Sequence, residues 1–126
     1  MTKALIAIFI GGGIGSMLRY LVQVCLQSHF SIGAFQWATF SANLIGSFLI
    51  GLFYVAASRF NLSDEARLFL TTGLCGGFTT FSTFSYENLN LLREGNYTTF
   101  ALYTVLSFTL GIAAAFAGGY AGSCLK

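Results

Sequence analysis

At 126 residues and 13.6 kDa, the chain carries 56% hydrophobic and 8% charged residues, no proline, and a mean hydropathy of +0.75. Soluble domains hold about 25% charged residues, so a water-soluble globule is a poor reading and a membrane domain takes its place. The net charge of +2 comes from six basic and four acidic residues scattered singly, whereas nucleic-acid binders gather Lys and Arg into a patch; no nucleic-acid partner is implied.

A membrane-crossing helix needs about 20 mainly apolar residues. Four stretches qualify, at about 4–27, 35–57, 67–92 and 98–122, so residues 1–126 read as a single all-α integral membrane domain without linker, repeat or soluble appendage. In the first stretch Arg19 lies fifteen residues past Ala4, about 22 Å along a helix. At that depth a charge either faces protein or water, where it would concentrate anions in a vestibule, or snorkels to the far interface. Gly11-x-x-x-Gly15 puts small residues on one face for close helix packing, within one subunit or between two. The connection over 28–34 is short enough to make its flanking helices antiparallel neighbours, with His29 read as a solvated loop residue. The second stretch carries Asn43, which serves either as interhelical glue or as a donor of amide protons to a passing anion.

The third stretch is the best bracketed. Ser63 can cap its start, with Asp64 and Glu65 beside the positive dipole end; Arg93 in the last turn and Gly95-Asn96 beyond it mark the stop. Its middle reads Thr71-Thr72-Gly73-Leu74-Cys75-Gly76-Gly77-Phe78-Thr79-Thr80-Phe81-Ser82-Thr83-Phe84-Ser85. Gly76 and Gly77 each weaken a helix by about 1 kcal/mol relative to alanine, which predicts a break near 76–79. Unwound backbone at membrane depth is tolerated only inside protein or along a cavity, and its freed carbonyls are good cation ligands. Beyond the break Phe81 and Phe84 share a face, and Thr80, Thr83 and Glu87 form a neighbouring stripe. Aromatic rings have positive edges, so these phenylalanines are either ordinary core or lipid-facing groups, or the wall of an anion path with hydroxyls beside it. Glu87 either pairs with a basic group or reaches an interface. In the fourth stretch Gly118-x-x-x-Gly122 repeats the small-residue spacing. Cys25, Cys75 and Cys124 lack metal or redox spacing and read as small hydrophobes. Lys3, Arg59, Arg67 and Lys126 oppose Arg93 alone across four spans, which places both termini in the cytoplasm. No catalytic motif is present, so no enzyme is expected.

Two patterns complete the reading. Gly12-Gly13-Ile14-Gly15-Ser16-Met17-Leu18-Arg19, Asn43 with Leu44 and Gly46, and the run from Thr72 to Ser85 together resemble the CrcB (Fluc) family of bacterial fluoride channels over all four spans. The resemblance implies four transmembrane helices with a broken third helix, assembled as an antiparallel, dual-topology homodimer in the bacterial inner membrane. It further implies two fluoride pores and a central structural sodium ion held by the backbone carbonyls of Gly76 and Thr79. Phe81 and Phe84 would line the pores, Ser82 and Thr83 would supply polar contacts, and Asn43, Arg19, Tyr103, Ser107 and Glu87 match the family's remaining pore and vestibule positions. Gly111 and Ala113 depart from the family, standing where some relatives carry Ser or Thr. The four-to-one basic bias departs from the balance expected of dual topology. The competing class is a small proton-coupled multidrug exporter of cationic compounds, which needs a carboxylate deep in the first helix where this chain has Arg19. A third is a noncatalytic membrane scaffold.

Overall fold

In lipid every backbone polar group must find its partner inside the protein, which leaves the helix as the default for an apolar chain without proline. The computed structural model describes residues 1–29 and 35–125, the side chains of 27–29 excepted, and among these residues it is helical throughout, with no strand. The long helices are α1 (Thr2–His29), α2 (Trp37–Arg59) and α6 (Tyr97–Ser123). All three are long and apolar enough to cross a membrane. Between α2 and α6 lie α3 (Asp64–Leu68), a π-helical stretch (Phe69–Cys75), α4 (Gly76–Phe78) and α5 (Ser82–Arg93).

The starts and stops follow local chemistry. Ser63, in extended geometry, accepts a hydrogen bond from the Ala66 amide at 3.2 Å and caps α3, whose first turn holds Asp64 and Glu65. At the other end Gly95 takes a left-handed φ of +74°, which closes α5 behind Arg93. Asn61, with φ +52°, turns the chain between α2 and α3; asparagine is among the few residues that tolerate that region. Helix α1 runs to His29, so Ser28 and His29 belong to the helix rather than to the expected loop; Ser31 and Gly33 lie outside the described residues.

The glycine pairs act within this chain. A Cβ on Gly15 would meet the carbonyl oxygen of Leu74 and stand 2.8 Å from the Phe78 nitrogen; one on Gly77 would run into the Gly12 carbonyl, 3.0 Å from the Gly12 Cα. Backbone therefore lies on backbone where α1 meets the π-helical stretch and α4. Gly118 does the same for α6 on α2, where a Cβ would lie 2.8 Å from the Phe48 carbonyl carbon, and Gly122 packs on Leu52 and Val55. Residue numbers rise together across both contacts, so α1 runs parallel to the α3–α4 segment and α2 runs parallel to α6. Arg59 completes the second pairing by donating to the Ser123 carbonyl at 2.9 Å, a cation at the negative end of α6.

The helix interruption falls later than the glycines. Gly76 and Gly77 stay helical, and helical geometry is lost at Thr79, which is extended (φ −86°, ψ 160°). Helix resumes only at Ser82. The close approach to Gly12 explains the difference, since Gly77 is needed small for packing and not for freedom to unwind.

Candidate functional site

The interruption is held by side chains from neighbouring helices. Thr79 still bonds backward, its amide and its hydroxyl both donating to the Cys75 carbonyl at 2.9 Å. At Thr80 the bonding leaves the helix. The Thr80 amide donates to Asn43 Oδ1 at 2.8 Å, and Asn43 Nδ2 donates back to the Thr80 carbonyl at 3.1 Å. One side-chain amide thus replaces a strand partner, which makes glue the structural part of the two readings of Asn43. Its second Nδ2 hydrogen is uncommitted.

Thr80 also starts the next helix. Its hydroxyl accepts from the Thr83 amide at 3.2 Å, the N-capping geometry, and lies 3.1 Å from Thr83 Oγ1 and 3.5 Å from Ser82 Oγ. Thr83 and Ser82 therefore sit at the mouth of α5, with Ser82 exposed. The donors that a continuous helix would send to the carbonyls of Gly76 and Thr79 are the amides of Thr80 and Thr83, and both are engaged elsewhere. Those two carbonyl oxygens are released, while the Gly77 carbonyl between them accepts Arg19 Nε at 3.2 Å. Arg19 accordingly faces protein and closes the end of α4.

A cavity of about 330 Å³ opens at the interruption. Its wall takes Asn43, Gly46, Ser47 and Ile50 from α2, Thr71, Cys75 and Gly76 from the segment before the break, and Thr79, Thr80 and Phe81 from the break itself. Phe84 of α5 with Ser107 and Phe108 of α6 completes it. Phe81 and Phe84 lie 5.9 Å apart between centroids, tilted by 36°. They differ sharply in cover, Phe81 being 71% exposed and Phe84 6%. Phe84 is fixed by Tyr103 at 4.9 Å and by the edge of Phe108 at 5.9 Å.

Glu87 has no basic partner among the described residues, which corrects that expectation. It accepts from the Tyr103 hydroxyl at 2.8 Å and from the Thr39 hydroxyl at 3.0 Å, joining α5 to α6 and α2. Tyr103 is fully buried. Glu87, Tyr103, Arg19, Ser82 and Thr83 do not line the cavity; Asn43, Phe81, Phe84, Ser107, Gly76 and Thr79 do. Thr39, Ser47, Thr71 and Phe108 escaped the sequence reading. Thr39 and Ser47 flank Asn43 at one helical turn on either side, a spacing that marks the same face of α2.

Hydroxyls, one amide hydrogen and ring edges, with no charged group on the wall, make a small chamber able to hold a small anion by hydrogen bonds within a multi-pass membrane protein. Residues 6–119 match the family described as CrcB-like protein, Camphor Resistance (CrcB). The chain belongs to that family. It is 52% identical over 126 residues to a Bacteroides fragilis protein named fluoride-specific ion channel FluC, covering 98% of this chain and 99% of that one. Proteins of the same name from Phocaeicola vulgatus and Leptospira interrogans are 50% identical over 110 residues and 48% identical over 118 residues, respectively. The first covers 87% of this chain and 90% of its own, the second 93% and 92%.

Proposed function

We propose that the chain is a fluoride-selective channel that passively exports fluoride across the bacterial inner membrane. The observation that carries this reading is the break at Thr79–Phe81, pinned by Asn43 and opening on a chamber of hydroxyls and phenylalanine edges. A fluoride ion leaving water needs compact hydrogen-bond donors, which the uncommitted amide hydrogen of Asn43 and the Ser107 hydroxyl supply. The edges of Phe81 and Phe84 add a weak positive lining that attracts an anion without trapping it. No energy source is required, because fluoride that entered as the neutral acid and dissociated inside runs down its own gradient.

In this reading α3 to α5 form a fourth, broken crossing, and two copies pack antiparallel, giving two pores. The 71% exposure of Phe81 at membrane depth supports a second copy covering that face. The released carbonyls of Gly76 and Thr79 support a structural sodium ion there, two hard oxygen ligands coming from each subunit. Arg19 at the next carbonyl, with Ser82, Thr83, Tyr103 and Glu87 behind the wall, steadies the path.

Purified protein in liposomes, followed with a fluoride electrode, should release fluoride and retain chloride; equal fluxes of the two anions would overturn the proposal. Proton-coupled drug export finds no support, since α1 carries no carboxylate and Glu87 is occupied by two hydroxyls.

A further inference from the structure

Five hydroxyl groups line the chamber, those of Ser47, Thr71, Thr79, Thr80 and Ser107. Three are already committed as donors. Thr71 donates to the Arg67 carbonyl at 2.8 Å and Thr79 to the Cys75 carbonyl at 2.9 Å, each one turn back, and Thr80 donates to Thr83 Oγ1 at 3.1 Å. Ser47 and Ser107 have no hydrogen-bond partner among the described residues, and the Ser107 oxygen is buried. One lies on α2 a turn beyond Asn43, the other on α6.

The two helices meet at this level. A Cβ added to Gly111, one turn beyond Ser107, would stop 3.7 Å from Ser47 Oγ. The missing side chain on α6 is therefore the space beside the Ser47 hydroxyl. A chain with no inward hydroxyl at position 111 receives one from the opposite helix.

We propose that Ser47 and Ser107 form a two-donor subsite for a single fluoride ion, with Ser47 taking the place that Gly111 leaves empty on α6. The inference rests on the fluoride reading above. An unpaired hydroxyl inside a membrane protein is costly, about 1–3 kcal/mol, and two of them on one chamber wall are both satisfied when an anion accepts from each. Asn43 lies one turn before Ser47 on α2, so its spare amide hydrogen opens onto the same chamber.

The test is fluoride efflux from liposomes holding wild type, Ser47→Ala, Ser107→Ala, the double variant, Gly111→Ser, and Ser47→Ala with Gly111→Ser, all checked for unchanged elution in detergent. Loss of one donor to an anion is expected to slow efflux roughly tenfold. Because both donors serve one ion, the double variant should be little slower than the slower single one. Gly111→Ser should restore most of the efflux lost in Ser47→Ala by returning a hydroxyl to the same space from α6. Ser47→Ala running at the wild-type rate would overturn the subsite, as would effects that multiply in the double variant. A Gly111→Ser change that conducts alone yet rescues nothing would assign Ser47 to packing and also overturn it. Wild-type liposomes that pass no fluoride would overturn the channel reading and this subsite together, whereas a conducting wild type with an indifferent Ser47→Ala would overturn the subsite alone.

Discussion

Replacing Asn43 with leucine removes a side chain of similar size but strips both partners from Thr80. The two bonds are short, 2.8 Å at the amide and 3.1 Å at the carbonyl, and both are shielded from bulk water. An orphaned buried backbone group costs about 1–3 kcal/mol, so Asn43→Leu should destabilise the fold by about 2–6 kcal/mol. Asn43→Asp keeps the acceptor for the Thr80 amide and loses only the donor, while setting a carboxylate against a carbonyl oxygen. Its Thr80 amide should therefore stay protected although its carbonyl does not. Denaturation in mixed micelles would measure the stability change, and amide hydrogen exchange at Thr80 would locate it. Protection at Thr80 should vanish in the leucine variant and persist in the aspartate variant. A leucine variant as stable as wild type, with Thr80 still protected, would refute the idea that one side chain holds the interruption in place.

Further expectations follow from individual contacts. Gly77→Ala drives a methyl into the Gly12 carbonyl and should cost at least 2 kcal/mol, roughly the cost of overpacking, whereas Gly13→Ala meets nothing within 4 Å and should be neutral or slightly stabilising; thermal melts of the pair compare them directly. Tyr103→Phe and Thr39→Val each leave Glu87 with one hydroxyl and should cost about 1–3 kcal/mol. A double-mutant cycle between them should show coupling above about 0.5 kcal/mol. Phe84→Ile should lower both stability and fluoride efflux because Phe84 is packed between Tyr103 and Phe108. Phe81→Ile, on the exposed ring, should lower efflux with little effect on the melt of the detergent-dispersed chain. Replacing sodium by a large organic cation should weaken self-association measured by sedimentation, since carbonyl oxygens have no other way to be neutralised.

Much of this architecture was open to reading from the residues. The long helices announce themselves by hydropathy, and Ser63, Arg93 and Gly95 bracket the region between α2 and α6 because capping chemistry is local. Other features are tertiary and leave little local trace. Gly76 and Gly77 look like the weak point of a helix, yet the chain unwinds three residues past Gly76, because the small residues serve the contact with α1 and Asn43 captures the Thr80 amide. The Gly11, Gly15, Gly118 and Gly122 spacings leave subunit and intersubunit packing equally open; only the partner atoms decide, and they lie in the same chain. Glu87 invites a search for a cation, while its partners are two hydroxyls distant in sequence. Ser47 drew no notice, since a serine in an apolar helix normally bonds to its own backbone, and its freedom shows only beside Gly111.

The π-helical stretch Phe69–Cys75 sets the azimuth of everything downstream of it. Each α-helical residue advances the chain by about 100° around the axis, and a π turn holds one residue more than an α turn. Deleting a single residue there, and letting the wide turn tighten, would swing Cys75, Gly76 and Thr79 through roughly a quarter of a revolution and carry them off the chamber wall. The stretch therefore works as a phase adjuster, and the chain should accept many side-chain replacements across it while tolerating no change in its length.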